Sequence, residues 1–187
     1  MRLAGEKDLG TCELYPQDCL HNNNGRFVAV CGDGEYIVYT AGVLRNKCFG
    51  TAIDFGWSTY GTGDYAIRDQ DLQIKIFKSW KDTGISFRPS EIDAEQMWGG
   101  ALIAVKSHDA VAFYDWETGY YIQRIDVPAA PKAIYWNDAG DKVIIATREA
   151  FYHLNFNRDL VDTSFAENGR SEDGVEEAFI LEAEIQE

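Results

Sequence analysis

The run GGALIAVKSHDAVAFYDWETGYYIQRIDV, residues 99–127, decides the fold of this chain. Apolar residues alternate with small or polar ones at residues 101–105 and 110–114, and a polar turn joins the two stretches. A second turn at residues 117–119 leads into a third alternating stretch, residues 121–127. Alternation with a period of two, interrupted by Gly, Asp and Ser, is typical of antiparallel strands joined by tight turns. We therefore predict three consecutive strands in this run.

The same order of strands and turns recurs along the chain with a nearly constant period. A glycine precedes the first apolar strand of each repeat, at Gly25, Gly63, Gly100 and Gly140. Fourteen residues beyond each glycine lies a bulky apolar side chain: Tyr39, Phe77, Tyr114 and Leu154. A period near 40 residues with about four strands in each period is the pattern of WD-type β-propeller blades.

We predict an all-β fold, an incomplete arc of a WD-repeat-type β-propeller with three to four four-stranded blades. Blades stack because a single four-stranded sheet cannot bury both of its faces. Trp57, Trp98 and Trp136 each precede one of the repeated glycines, and we expect them to fill the gaps between blades. Since WD-type propellers usually close with more than four blades, we expect a piece of a larger propeller. A β-sandwich also has short, evenly spaced strands and is the alternative.

The first repeat predicts a particular set of elements. A short strand is expected at residues 11–15, and strands at residues 27–31 and 36–40 flank a hairpin turn at residues 33–34. The incomplete arc would expose apolar faces and strand edges at its ends. We therefore expect the isolated chain to dissolve poorly or to associate with itself.

The sequence divides into three regions. Residues 1–10 are a flexible N-terminus, residues 11–157 hold the propeller blades, and residues 158–187 are an acidic, partly helical inter-blade segment. In this last region we predict a short helix from Val175, with Phe179 and Ile180 on one side. Its acidic residues form either a solvated surface or a docking site for a basic partner.

The negative net charge of the chain argues against some classes of binding partner. It has 31 Asp and Glu residues against 17 Lys and Arg, which gives a net charge of -14. A field of this sign repels phosphate backbones and therefore argues against nucleic acid and against direct binding to an anionic membrane. The cysteine spacing fits neither a zinc site nor a secreted disulfide framework, so we expect no metal and a cytoplasmic location.

Catalytic patterns are weak, and we predict no catalytic, cofactor-binding or metal-binding residue. Residues 61–66 match G-x-G-x-x-A, but they precede a strand rather than a helix and are interpreted as a turn. His21, His108 and His153 lie in different repeats. Asp115 and Glu117 form a close carboxylate pair that we expect to accept hydrogen bonds within a turn. A hydrolase of propeller architecture is the enzyme-class alternative.

Beyond the repeat pattern, six segments of the sequence resemble a known protein family. These are CELYP (12–16), HNNNGRFVAVCGDGEYIVYTAGVLRNK (21–47), YAIRD (65–69), IKIFK (74–78), AFYDWETG (112–119) and EDGVEEAFILEAEIQE (172–187). Together they resemble the beta-prime subunits of coatomer, the COPI vesicle coat, from about Gly10 to Glu187. The resemblance covers part of the second of the two WD-repeat propellers of that family.

The resemblance implies a structural component of the COPI coat, without enzymatic activity or cofactor. It implies transport between the Golgi and the endoplasmic reticulum and within the Golgi. The implied partners are other coatomer subunits, above all the alpha subunit, with an Arf-class GTPase acting indirectly through the complex. Membrane association would be peripheral, on Golgi membranes and coated vesicles. Cargo-signal binding belongs to the first propeller of the family, which this chain lacks. A stand-alone WD-repeat scaffold in another cytosolic assembly is the alternative.

Overall fold

Sixteen β-strands and one α-helix make up residues 8–186, the part of the chain that the computed structural model describes. The strands form four separate four-stranded antiparallel sheets, and the strands of each sheet follow one another in chain order. Each sheet is one blade, so the predicted arc of β-propeller blades is confirmed. The sequence predicts three to four blades, and the structure has four, each with four strands.

Every blade is a meander whose strands are three to eight residues long. Blade 1 contains β1 (Asp18–His21), β2 (Phe27–Gly32), β3 (Glu35–Thr40) and β4 (Asn46–Thr51). Blade 2 contains β5 (Asp54–Trp57), β6 (Tyr65–Arg68), β7 (Ile74–Lys78) and β8 (Lys81–Phe87). Blade 3 contains β9 (Gln96–Trp98), β10 (Ile103–Lys106), β11 (Ala110–Tyr114) and β12 (Tyr121–Asp126). Blade 4 contains β13 (Ala133–Trp136), β14 (Lys142–Ala146), β15 (Ala150–Phe156) and β16 (Phe179–Gln186).

The predicted repeat corresponds to the repeat of blades. Each of the four glycines lies two or three residues before the second strand of its blade. The apolar residue fourteen positions later lies on the third strand in every blade. In all four blades the pairing of the third and fourth strands shifts register just before that residue. The repeat therefore marks a place where the ladder between the third and fourth strands is interrupted, as it is at a β-bulge.

The blades stack through a small residue that recurs on their second strands. An alanine lies opposite an apolar residue of the third strand, and both are fully buried, in the pairs Ala29–Val38, Ala66–Ile76 and Ala104–Phe113. The small methyl group lets the next sheet approach closely and pack without a void. Blade 4 has Ile144 opposite His153 at this place, and Ile144 is 37% exposed. Its outward face is therefore built differently from the three interfaces inside the arc.

Tryptophans fill the spaces between blades, as the sequence predicts. Trp57 packs in the cluster between blades 1 and 2, and its Nε1 donates to the carbonyl of Leu20 at 2.8 Å. Trp98 and Trp136 pack against the cluster between blades 3 and 4. Blades 2 and 3 also meet backbone to backbone, since a Cβ on Gly56 would lie 2.5 Å from the amide nitrogen of Gly99.

The first strand of blade 1 lies later in the chain than predicted. Residues 11–15 are not a strand, and β1 begins at Asp18. Cys12 and Leu14 instead pack against a buried cluster on the outward face of blade 1: Val28, Val30, Ile37 and Tyr39. Residues 11–15 thus bury two side chains, but their backbone does not pair with a strand. Of the predicted flexible residues 1–10, residues 1–7 lie outside the described part of the chain.

The helix also lies elsewhere than predicted. It is α1 (Arg158–Asn168), and the Asn157 side chain accepts a hydrogen bond from the amide of Leu160 at its start. The predicted helix from Val175 is wrong, because Phe179 and the residues after it pair with β15 as β16. Blade residues therefore extend to Gln186, beyond the expected boundary at residue 157. Within the described residues, no helix has the length and apolar character needed to cross a membrane.

Candidate interaction site at the third blade

Asp115 organises the turn between β11 and β12. One of its carboxylate oxygens, Oδ2, accepts hydrogen bonds from the amides of Glu117 and Thr118 and from the Thr118 hydroxyl, at 2.9–3.0 Å. The Asp115 side chain is only 6% exposed, whereas that of Glu117 is 74% exposed and pairs with Lys78. The two carboxylates therefore have separate structural partners. This is the turn role that the sequence predicts for Asp115.

The residues on either side of Asp115 are fixed by buried hydrogen bonds. Trp116 is 5% exposed, and its Nε1 donates to the carbonyl of Gly100 at 3.0 Å. Tyr114 is 1% exposed, and its hydroxyl donates to Glu91 Oε2 at 2.9 Å. Burial raises the pKa of Tyr114, and the adjacent Glu91 carboxylate raises it further. The aromatic groups of this turn are therefore held in place by the blade.

Arg158, the first residue of α1, joins the helix to the Asp115 turn. Its Nη1 donates to the second carboxylate oxygen of Asp115 at 3.0 Å, and its Nη2 donates to the carbonyl of Ala101 at 3.4 Å. The guanidinium also lies over the ring of Phe156, 5.1 Å from its centroid. The sequence analysis missed Arg158, because its two partners lie 43 and 57 residues away from it in the chain.

The connection between β15 and β16, residues 157–178, returns from blade 4 to cover the outer strand of blade 3. Its Val175 amide donates to the carbonyl of Ile122 on β12 at 2.7 Å. The ring of Phe165 on α1 meets that of Tyr120 edge to face, with centroids 5.4 Å apart. Val161, also on α1, is fully buried in the cluster between blades 3 and 4. The helix is thus anchored by Val161 and Phe165, and the segment after it is anchored to blade 3 by the Val175 hydrogen bond.

A groove of about 430 Å³ lies between α1 and the Asp115 turn. Its lining combines aromatic rings with carboxylates: Tyr60, Trp116 and Phe165, and Asp115, Glu117 and Asp162. Tyr60 comes from the loop between β5 and β6 and is 46% exposed. Elements of blades 2 and 3 and the helix therefore meet at one accessible depression, which we call the α1 groove.

The surface around the α1 groove is acidic. The connection at residues 157–178 carries exposed acidic residues: Asp159, Asp162, Glu167, Glu172, Asp173, Glu176 and Glu177. Its two basic residues are Arg158, which Asp115 neutralises, and Arg170. A surface of this charge attracts cationic groups and repels phosphates.

The residues considered for catalysis lie apart in the structure. Residues 61–66 form a loop and the start of β6, so the glycine pattern is a turn without a helix. His21 ends β1, His108 lies beside Asp109 at 3.5 Å, and His153 lies 3.2 Å from Glu182 on blade 4. These positions belong to three different blades. They bring no nucleophile and base together among the described residues.

The four cysteines are free thiols, and Cys31 and Cys48 pack against the same buried cluster between blades 1 and 2. Cys19 is exposed, while Cys12, Cys31 and Cys48 are half-buried. Burial, together with the charge of Asp18, raises the pKa of Cys31 to about 12, so its thiol stays protonated and unreactive near neutral pH. The described residues contain no group of three His, Cys, Asp or Glu side chains that could hold a metal ion.

A second buried ion pair, which sequence reasoning also missed, links blades 2 and 3. The Nε of Arg68 lies 2.6 Å from Asp54 Oδ2, and the remaining guanidinium nitrogens donate to the carbonyls of Ala94 and Glu95. Asp54 also accepts from the amide of Met97 at 3.1 Å. All of these polar groups are paired, so the contact orients the two blades and leaves nothing free for a ligand.

Comparison with known sequences shows a specific family. The model of the COPA/B second beta-propeller family matches residues 3–187. The coatomer subunit beta' of Rattus norvegicus is 48% identical over 97% of this chain, and the coatomer subunit beta'-2 of Arabidopsis thaliana is 51% identical over 92%. The chain spans 20% and 18% of the length of these relatives.

Solved structures share the fold at low sequence identity. A functionally unknown protein from Desulfotomaculum acetoxidans superposes with a TM-score of 0.59 at 14% identity, covering 75% of this chain and 51% of that one. Hsv2 of Kluyveromyces lactis superposes with a TM-score of 0.58 at 10% identity, covering 88% and 55%. The fold is therefore shared widely, whereas the sequence similarity is specific, and the chain belongs to the COPA/B second beta-propeller family of coatomer subunits.

Proposed function

We propose that this chain acts as a structural part of the COPI coat, through protein–protein contacts and without catalysis. The observation that carries the proposal is the match to the COPA/B second beta-propeller family over residues 3–187. The fold is consistent with this role, because stacked blades present extended surfaces on a rigid frame. The buried polar side chains at the Asp115 turn bind backbone groups and one another rather than a substrate.

The proposed partners are other coatomer subunits, with the alpha subunit foremost. An Arf-class GTPase would act indirectly, by recruiting the complex to the membrane. Association with Golgi membranes and COPI vesicles would then be peripheral and would occur only through the coat. The net charge of -14 supports this arrangement, because it disfavours direct contact with anionic lipid headgroups.

Recovery of the alpha coatomer subunit from cytosol tests this proposal. The folded chain is immobilised, incubated with cytosolic extract, washed and probed for the alpha subunit by immunoblot. An unrelated propeller domain of similar charge, immobilised at the same density, is the control. We expect the alpha subunit on this chain only. Recovery of a different set of cytosolic proteins, without any coatomer subunit, would instead support a stand-alone WD-repeat scaffold.

A further inference from the structure

We propose that the α1 groove is a binding site for a lysine or arginine side chain, presented by a basic segment of a partner protein. This goes beyond the coat assignment, because it names the chemistry that a contact surface recognises. It also stands independently of that assignment, since binding of a basic peptide requires no other coat subunit.

The shape and lining of the groove suit a long cationic side chain. Its volume of about 430 Å³ is ample for such a group. The rings of Tyr60 and Phe165 line it from two separate elements, the β5–β6 loop and α1. Aromatic faces attract ammonium and guanidinium groups through the ring quadrupole, and the alkyl stem of the same side chain packs well on apolar carbon.

Charge selects a cation over other ligands. Arg158 lies in the groove, but its Nη1 is bound to the buried Asp115 carboxylate at 3.0 Å, so the two charges cancel. Asp162 is exposed and forms no ion pair with any residue that the structure describes. Glu117 is also exposed, and the cation that it pairs with among the described residues is Lys78. Among the residues that the structure describes, Asp162 is therefore a lining carboxylate of the groove without a cationic partner.

The surroundings of the groove favour a segment of protein over a single small cation. After α1 ends, the connection at residues 157–178 carries further exposed acidic residues, Glu172 and Asp173. A chain with several basic residues would place one in the groove and the others along this surface, and charge complementarity would steer its approach. Nucleic acid and anionic membranes carry the wrong charge for the same surface.

Fluorescence anisotropy with a synthetic peptide tests the proposal. The probe is a labelled eight-residue peptide of alternating lysine and glycine, and its partner probe has glutamine in place of lysine. We expect the lysine peptide to bind and the glutamine peptide not to bind. Asp162→Asn should raise the dissociation constant about two- to fivefold, because it removes one exposed charge contact. Tyr60→Leu should raise it by about the same factor, because it keeps an apolar side chain but removes the ring.

Glu167→Gln is the matched control for the charge contact. It removes the same charge from the same helix but lies outside the groove lining. We expect it to change the dissociation constant by less than about 1.5-fold, and thermal melting should show that all three variants remain folded. Equal effects of Asp162→Asn and Glu167→Gln would overturn the site in favour of a diffuse acidic field. Equal binding of the lysine and glutamine peptides, or no binding of the lysine peptide to the folded chain, would also overturn it.

Discussion

Asp115 and Glu91 are carboxylates that the blades use in different ways. Asp115 has both oxygens occupied, one by turn donors and the other by Arg158. Glu91 lies in the connection before β9 and accepts from Ser90 and from the buried Tyr114 hydroxyl. Glu91 therefore satisfies the buried Tyr114 hydroxyl, and Asp115 satisfies donors of a partly buried turn. A buried donor left without a partner costs about 1–3 kcal/mol.

Replacement of Asp115 should destabilise the chain strongly. Asp115→Ala removes the acceptor for the turn amides and leaves Arg158 without its ion pair, so we expect a loss of about 2–4 kcal/mol in the free energy of unfolding. Urea unfolding followed by tryptophan fluorescence measures this loss. The control is Asp126→Ala, because Asp126 is also paired with an arginine but its side chain is 76% exposed. That variant should change the free energy by no more than about 0.5 kcal/mol, and equal losses would contradict the argument.

The Glu91 carboxyl should make stability depend on pH in a defined direction. Burial alone would raise its pKa, but hydrogen bonds from Ser90 and Tyr114 hold the pKa below the ordinary value of 4.5. The folded state therefore favours the ionised form, so this contribution is present above pH 4.5 and is lost as the pH falls through the lowered pKa. The free-energy difference between the wild type and Glu91→Gln should shrink between about pH 7 and about pH 3.

Tyr114→Phe identifies the source of that pH dependence. It removes one of the donors to Glu91 and should reduce the change with pH without abolishing it, since the Ser90 hydroxyl still donates. Urea unfolding at a series of pH values gives the comparison. A difference between wild type and Glu91→Gln that stays constant over the whole range would show that the two hydrogen bonds do not favour ionisation.

At the scale of the elements, equivalent strand positions differ between blades. Ala104 on β10 is fully buried between blades 3 and 4, and Ile144 on β14 is the corresponding residue of blade 4. The first position has no room for a larger side chain, because the facing sheet packs directly upon it. Ile144 is 37% exposed, because no sheet of the described residues packs against it.

Exchanging these two residue types should therefore have unequal effects. Ala104→Ile forces three extra carbons into a packed interface and should lower the free energy of unfolding by about 1–3 kcal/mol or more. Ile144→Ala removes the same group from a half-exposed face and should cost about 1 kcal/mol or less. Chemical unfolding of both variants measures the two values. Equal costs would mean that the two faces of the arc are packed alike.

Some elements of the fold could be predicted from the sequence, and others could not. The glycine spacing and the alternation predict an arc of three to four blades, because both are local consequences of strand and turn geometry. The position of α1 and the role of Arg158 were missed, since they depend on contacts with blade 3 that no local pattern contains. The apolar spacing at Val175 and Phe179 suggested a helix, but pairing with β15 decides in favour of a strand.

At the scale of the whole molecule, the two ends of the arc differ. The outward face of blade 1 is covered in part by Cys12 and Leu14. The outward face of blade 4 carries exposed apolar side chains on adjacent strands: Tyr135, Ile144, Phe151 and Ile185. The Glu182 carboxylate lies among them, 3.7 Å from the Lys142 ammonium and 3.2 Å from the His153 ring. An apolar face of this extent favours association in water, while the acidic charge of the chain opposes it.

We therefore predict that the isolated chain associates with itself through the outward face of blade 4. Phe151 and Ile185 are paired neighbours on β15 and β16, so the double variant Phe151→Lys/Ile185→Lys places two adjacent charges on that face. It should raise the concentration for half-association at least about tenfold, because the charges would have to be desolvated on contact. Sedimentation velocity over a concentration series measures this, and Phe49→Lys, at a residue 74% exposed on blade 1, is the control. A wild-type chain that stays monomeric, or a double variant that associates as strongly as the wild type, would show that blade 4 is not the surface involved.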